Sequence, residues 1–107
     1  MIITTTNSIE GRKVSAYKGL IMSDAILGAN VFRDIFAGLR DFFGGRSGSY
    51  EKTLKEARRD AMAELEEKAR ALGADAIVGL SVDYEIIGEK GSMIMVCLTG
   101  TAVTLEG

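Results

Sequence analysis

Between Gly44 and Gly79 the chain passes through a glycine-rich loop, a long amphipathic helix, a glycine stop and an apolar strand. No other stretch restricts the fold as strongly. From Tyr50 to Leu72 the apolar residues Leu54, Ala57, Ala61, Leu65, Ala69 and Leu72 recur at steps of three or four, which lines them along one side of a helix. Half of that side is alanine, so the helix can lie close to whatever it covers, and a sheet is the natural partner. The other side carries Glu51 with Lys55, Glu64 with Lys68 and Glu66 with Arg70. Each glutamate precedes its base by four residues, an order worth roughly 0.2–0.5 kcal/mol per pair. Ser49 is placed to cap the start, and Gly73 to end the helix in a left-handed conformation. Ala76-Ile77-Val78-Gly79-Leu80 then reads as a strand, because β-branched residues follow a helix stop.

The flanking segments complete an α+β pattern. Ile2-Ile3-Thr4-Thr5-Thr6 is a β-branched run closed by the turn signal Asn7-Ser8. From Lys13 to Met22 an imperfect alternation sets Val14, Ala16, Leu20 and Met22 against Ser15, Tyr17, Gly19 and Ile21. Between Val31 and Phe43 a broad apolar stripe that holds all four phenylalanines predicts a shorter helix packed into the core. The third strand continues to Ile87 with Val78, Leu80, Val82, Tyr84 and Ile86 on its core face, and Gly88–Ser92 turns the chain into a last strand, Met93–Leu105. The expected fold is a single α+β domain over residues 1–107: a small antiparallel sheet of about four strands, packed by one long and one shorter helix.

The last strand is apolar on both faces, with Met93, Met95, Cys97, Val103 and Leu105 opposite Ile94, Val96, Leu98 and Ala102. One layer of helices covers only one face of a sheet. Another copy of the chain is the economical cover for the second, so a homo-oligomer is expected.

Charge and composition narrow the function classes. The formal net charge of −2 offers no basic field, so nucleic acid is not an expected partner. The longest apolar run, Met93–Leu98, is too short for a membrane span, and no basic-then-apolar leader opens the sequence; the expected location is the cytoplasm. A single cysteine rules out an internal disulfide. The absence of histidine removes the commonest general base and transition-metal ligand together, so neither a catalytic triad nor an ordinary zinc site is available to one chain.

Three places retain chemical interest. The Gly44–Ser49 loop, with Arg46 and Ser47, could cradle an anion, although the same residues serve any turn between two helices. Asp83 and Glu85 stand two apart on a strand, so both carboxylates leave one face, where they could hold a hard cation or do acid–base work, or simply be solvated. Cys97 is a soft ligand with Met93 and Met95 on its strand face, a set that suits copper(I) and that equally fills a core.

Taken together, Ile3-Thr4-Thr5-Thr6, Gly44-Gly45-Arg46-Ser47-Gly48-Ser49-Tyr50-Glu51, Leu72-Gly73-Ala74-Asp75-Ala76-Ile77-Val78-Gly79, Asp83-Tyr84-Glu85 and Gly100-Thr101-Ala102-Val103 resemble the YbjQ family, also called the UPF0145 proteins. The resemblance spans essentially the whole chain. It implies a small prokaryotic cytoplasmic protein, a fold related to the dodecin subunit, a ring-shaped pentamer and a label of "putative heavy-metal-binding". It brings no catalytic residues. The resulting expectation is a non-enzymatic homo-oligomer that binds a metal ion or small ligand between subunits, with metal candidates Cys97, Asp83 and Glu85. An enzyme built on Asp83 and Glu85, or a purely structural ring, is the alternative.

Overall fold

The computed structural model describes residues 1–27, 48–87 and 93–107, with helix side chains from Leu54 onward. The stripe expected as a shorter helix between Val31 and Phe43, the loop residues Arg46 and Ser47, and the turn Gly88–Ser92 lie outside the described residues. The described elements are β1 (Ile2–Ile3), β2 (Val14–Leu27), α1 (Gly48–Ala71), β3 (Ala76–Ile87) and β4 (Met93–Leu105). They form a four-stranded sheet in the order β1-β3-β4-β2 with α1 across one side.

The sheet is mixed, which corrects the antiparallel expectation. β4 is antiparallel to both β2 and β3, but β1 joins β3 in parallel, Ile2 opposite Ala76 and Ile3 opposite Ile77. A parallel neighbour needs a long crossover, and the chain between residues 3 and 76 supplies it through β2 and α1. Beyond the short strand the pairing continues irregularly: Thr4 N–H donates to the Ile77 carbonyl, Leu80 N–H to that of Thr4 and Gly79 N–H to that of Thr6.

Those last bonds exist because β3 bulges. Val78 lies opposite Thr101 and Ser81 opposite Thr99, so β3 carries one residue more than β4 there, and Gly79 accommodates it at φ 63°. The extra residue reverses the alternation. Val82, Tyr84 and Ile86 share the α1 side with Ile77, while Val78 faces the other way with Ala76, so the single core face expected for Val78 through Ile86 is divided at Gly79. β2 is reset in the same way, with shifts at Val14/Ala16 and Tyr17/Gly19. Val14 and Leu20 therefore lie opposite Leu105 and Thr101 on the open side, but Ala16 lies opposite Thr104 on the α1 side. β2 also runs five residues past Met22, because Ser23, bonded to α1, and Asp24, on the open side, do not interrupt a strand that stays in register with β4 to Leu27.

Helix α1 packs as its spacing predicts. Ala57, Ala61, Leu65 and Ala69 are buried against Ile21, Ile77, Val96, Leu98 and Ala102. Val96 and Leu98 have no exposed surface, and full burial of such side chains is worth about 1.5–3 kcal/mol each. Two polar contacts fix the helix laterally: Ser23 Oγ donates to the Ala61 carbonyl at 2.6 Å, and Lys68 Nζ to the Met22 carbonyl at 2.7 Å. Ion pairs join Glu64 to Lys68 and Glu66 to Arg70 on the solvent side. The described helix already includes Gly48 and Ser49, so Ser49 lies inside it rather than capping it. Its end is a six-residue wrap: Ala74 N–H reaches the Ala69 carbonyl, Gly73 N–H that of Arg70, and Gly73 takes φ 76°. Leu72, past the last helical residue, is exposed and does not join the core stripe.

Among the described residues, the open side is only partly covered. Ile9, held by the tight turn Ile9–Arg12 with Gly11 at φ 82°, packs with Val14 on Ala76, Val78, Val103 and Leu105. Farther along, Met93, Met95 and Cys97 are half-buried, while Ile26 opposite Met95, and Met22 and Leu20 opposite Thr99 and Thr101, are exposed.

Candidate functional site

The open side of the sheet gathers the metal candidates into a row. Antiparallel partners directly opposite one another project from the same face, and Cys97 lies opposite Asp24 on β2 and Asp83 on β3. One step along, Met95 lies opposite Ile26 and Glu85, and one further step pairs Met93 with Ile87. Cys97 thus occupies the middle strand, with a carboxylate on either flank and Glu85 on the diagonal. Asp83 accepts a hydrogen bond from Ser81 Oγ at 3.2 Å.

Asp24 was not among the residues singled out from the sequence. With β2 ending at Met22 it fell outside any strand; extended to Leu27, its position alternates with Leu20, Met22 and Ile26 and joins the face of Cys97. An isolated acid in such an apolar run is the signal that could have found it.

The row is electrostatically one-sided. Hydrogen bonding to Asp24 raises the Cys97 pKa above the usual thiol value, reinforced by partial burial and by the negative charges of Asp24, Asp83 and Glu85. The free chain therefore keeps sulfur protonated, whereas a cation seated in the row would compensate the carboxylates and favour thiolate. Chemically the donors fit a cation: oxygen ligands, one soft sulfur and two thioethers beside it. Spatially, among the described residues no three His, Cys, Asp or Glu side chains converge as one chain's metal site.

Asp83 and Glu85 are both exposed on that face. On the other side of β3, Arg58 of α1 donates to the Tyr84 hydroxyl at 3.0 Å, and Tyr84, Ile86, Ile94 and Leu54 line a shallow apolar groove. No described helix is long and apolar enough to cross a membrane.

A YbjQ family model, described as "Putative heavy-metal-binding", matches residues 1–106. Among solved structures, the chain is similar to a protein of unknown function from Pediococcus pentosaceus ATCC 25745 that belongs to the DUF74 family. The TM-score is 0.62 at 19% identity, covering 99% of this chain and 98% of that one.

Proposed function

The chain belongs to the YbjQ family, and from that premise we propose that it is a small cytoplasmic, non-enzymatic homo-oligomer whose copies hold a metal ion between them. The observation that carries this reading is the position of Cys97 between Asp24 and Asp83 on the sheet face opposite α1, where Leu20, Met22 and Ile26 are exposed among the described residues. Exposed Leu20, Met22 and Ile26 favour association, and turning the faces of several copies toward one another concentrates their carboxylates and thiols. One chain supplies part of a coordination shell; a ring, of five copies if the family resemblance holds for assembly, supplies the rest. Cys97, Asp24, Asp83 and Glu85 are the proposed ligands, with Met93 and Met95 available to a soft ion. Arg46 and Ser47 remain a proposed anion-binding loop.

Elemental analysis combined with native mass spectrometry on protein purified without added metal reports bound species and subunit number together. Titration of copper(I), zinc and calcium into wild type and Cys97→Ser then separates sulfur from oxygen ligation. Loss of copper(I) binding alone assigns the sulfur site; retention of a hard cation assigns it to the carboxylates. Stoichiometric, tight binding by a monomeric form overturns the shared site.

A further inference from the structure

We propose that the groove on the α1 side of β3 binds a free medium-chain fatty acid, its carboxylate on Arg58 and Tyr84 and its chain over Leu54, Ile86 and Ile94. This goes beyond the metal reading and does not rest on it, because Asp24, Asp83 and Cys97 occupy the opposite face of the sheet.

The groove exists because α1 lies chiefly on β2 and β4 and barely reaches β3. Val82, Tyr84 and Ile86 turn toward the helix side without being covered by it, and Ile86 is 71% exposed. Among the described residues, Leu54 from α1 and Tyr84, Ile86 and the buried Ile94 from the sheet line a space of about 350 Å³. Small-molecule sites occupy roughly 300–1,000 Å³, so the space suits one short chain better than a folded partner. Its walls are aliphatic and aromatic, which requires that most of the occupant be apolar.

The Tyr84 end is cationic. Arg58 Nη1 donates to the Tyr84 hydroxyl at 3.0 Å, which holds the phenol in place and leaves the other guanidinium N–H groups for a further acceptor. Because the hydroxyl accepts in that bond, it keeps its own proton to donate. Guanidinium and phenol thus offer adjacent donors to a carboxylate, whose two oxygens match the guanidinium fork. Along α1, Arg58 shares a surface with Lys55 and Arg59, where the carboxylate of Glu66 is 2.6 Å from Arg70 and so already paired. Asp83 and Glu85 leave the other face of β3 and do not oppose an anion here. Charge and shape therefore agree on an anionic head joined to an apolar tail.

Isothermal titration of decanoate, below its micelle-forming concentration, into the wild-type protein provides the test. The expected result is saturable binding of one decanoate per chain. Decyltrimethylammonium, with the same tail and opposite charge, and acetate, with the same head and no tail, should each bind roughly tenfold more weakly or worse. Arg58→Gln and Ile86→Ser should each weaken decanoate by about the same factor. Both residues are exposed, so both variants should keep the wild-type circular dichroism. Should either misfold, Tyr84→Phe retains the ring and removes the hydroxyl; it should weaken decanoate severalfold and leave decyltrimethylammonium unchanged. Affinity unmoved by these substitutions, or equal affinity for the cationic analogue, overturns the proposal. So does the absence of saturable binding, the result expected if residues 28–47 or a second copy fill the groove. Attachment to phosphatidylglycerol vesicles without binding of free decanoate overturns it in favour of a membrane surface. Cys97→Ser should bind decanoate as wild type does, so this proposal and the metal reading can each fail alone.

Discussion

The Ser23 hydroxyl, buried on β2, donates a 2.6 Å hydrogen bond to the backbone carbonyl of Ala61 in the middle of α1. A serine on the covered side of an apolar strand is the smallest residue that can reach an alanine helix with a donor, and Ala61 allows the approach. Ser23→Ala removes the donor, while the carbonyl keeps its place in the helical ladder. The expected loss is about 0.5–1.5 kcal/mol, read from urea midpoints at unchanged slope.

The same close approach makes Ala61 intolerant of bulk. It is 1% exposed and packs on the sheet at the turn of α1 that Ser23 holds, so Ala61→Leu should destabilise by roughly 1–3 kcal/mol through overpacking. Glu64→Ala, which breaks an exposed 3.6 Å pair with Lys68, should stay within about 0.5 kcal/mol. Equal effects in denaturant melts would place the helix the wrong way round.

Gly100 marks a second tight contact, between β4 and β3. A methyl group there would stand 2.7 Å from Ile77 Cγ2 and 3.5 Å from the Val78 carbonyl oxygen, and Ile77 is a fully buried, β-branched side chain with little freedom to move. Gly100→Ala should cost roughly 1–3 kcal/mol in thermal or denaturant unfolding. Gly79→Ala should also destabilise, by about 1 kcal/mol, for backbone reasons alone at φ 63°.

Charge on the two faces of β4 should give two different failures. Val96 has no exposed surface and lies under α1, so Val96→Lys buries an unpaired ammonium and should leave the protein unfolded or insoluble. Met95 is half-buried on the open side, and Met95→Lys should yield a folded chain that no longer assembles. Light scattering and circular dichroism distinguish these outcomes; a fully assembled Met95→Lys protein would remove the open face from the assembly.

The raised thiol pKa of Cys97 has a definite pH signature. A pKa higher in the folded than in the unfolded state contributes stability that is complete below the unfolded value and lost as pH climbs through the folded one. Metal-free protein should therefore lose stability on the alkaline side, and its thiolate absorbance should rise later than that of an exposed cysteine. Hydrogen bonding to Asp24 is the largest cause, so Asp24→Asn should move both transitions to lower pH. An unchanged thiolate titration would detach Asp24 from Cys97.

Much of this was legible before any coordinates. The steps of three and four fixed the buried side of α1, and Gly73 fixed its end. Alternation failed where it was interrupted by a single residue. Gly79 reads as one more small residue in an apolar strand, yet as a bulge it sends Val78 and Val82 to opposite sides. The parallel partner of β3 was hidden for another reason: Ile2 and Ile3 carry strand propensity but nothing local that says which strand they meet. Asp83, Glu85 and Cys97 were found singly from residue type, and their alignment with Asp24 emerged only from register.

That parallel pairing also sets an order of events during synthesis. Residues 2–6 leave the ribosome early, but their partners at 76–80 emerge only after β2 and α1 have been made, on the order of several seconds later at ordinary elongation rates. Until then two isoleucines and three threonines wait as an unpaired, aggregation-prone segment. Because closing so long a loop is entropically slow, their docking should be among the last steps of folding and the first lost on unfolding.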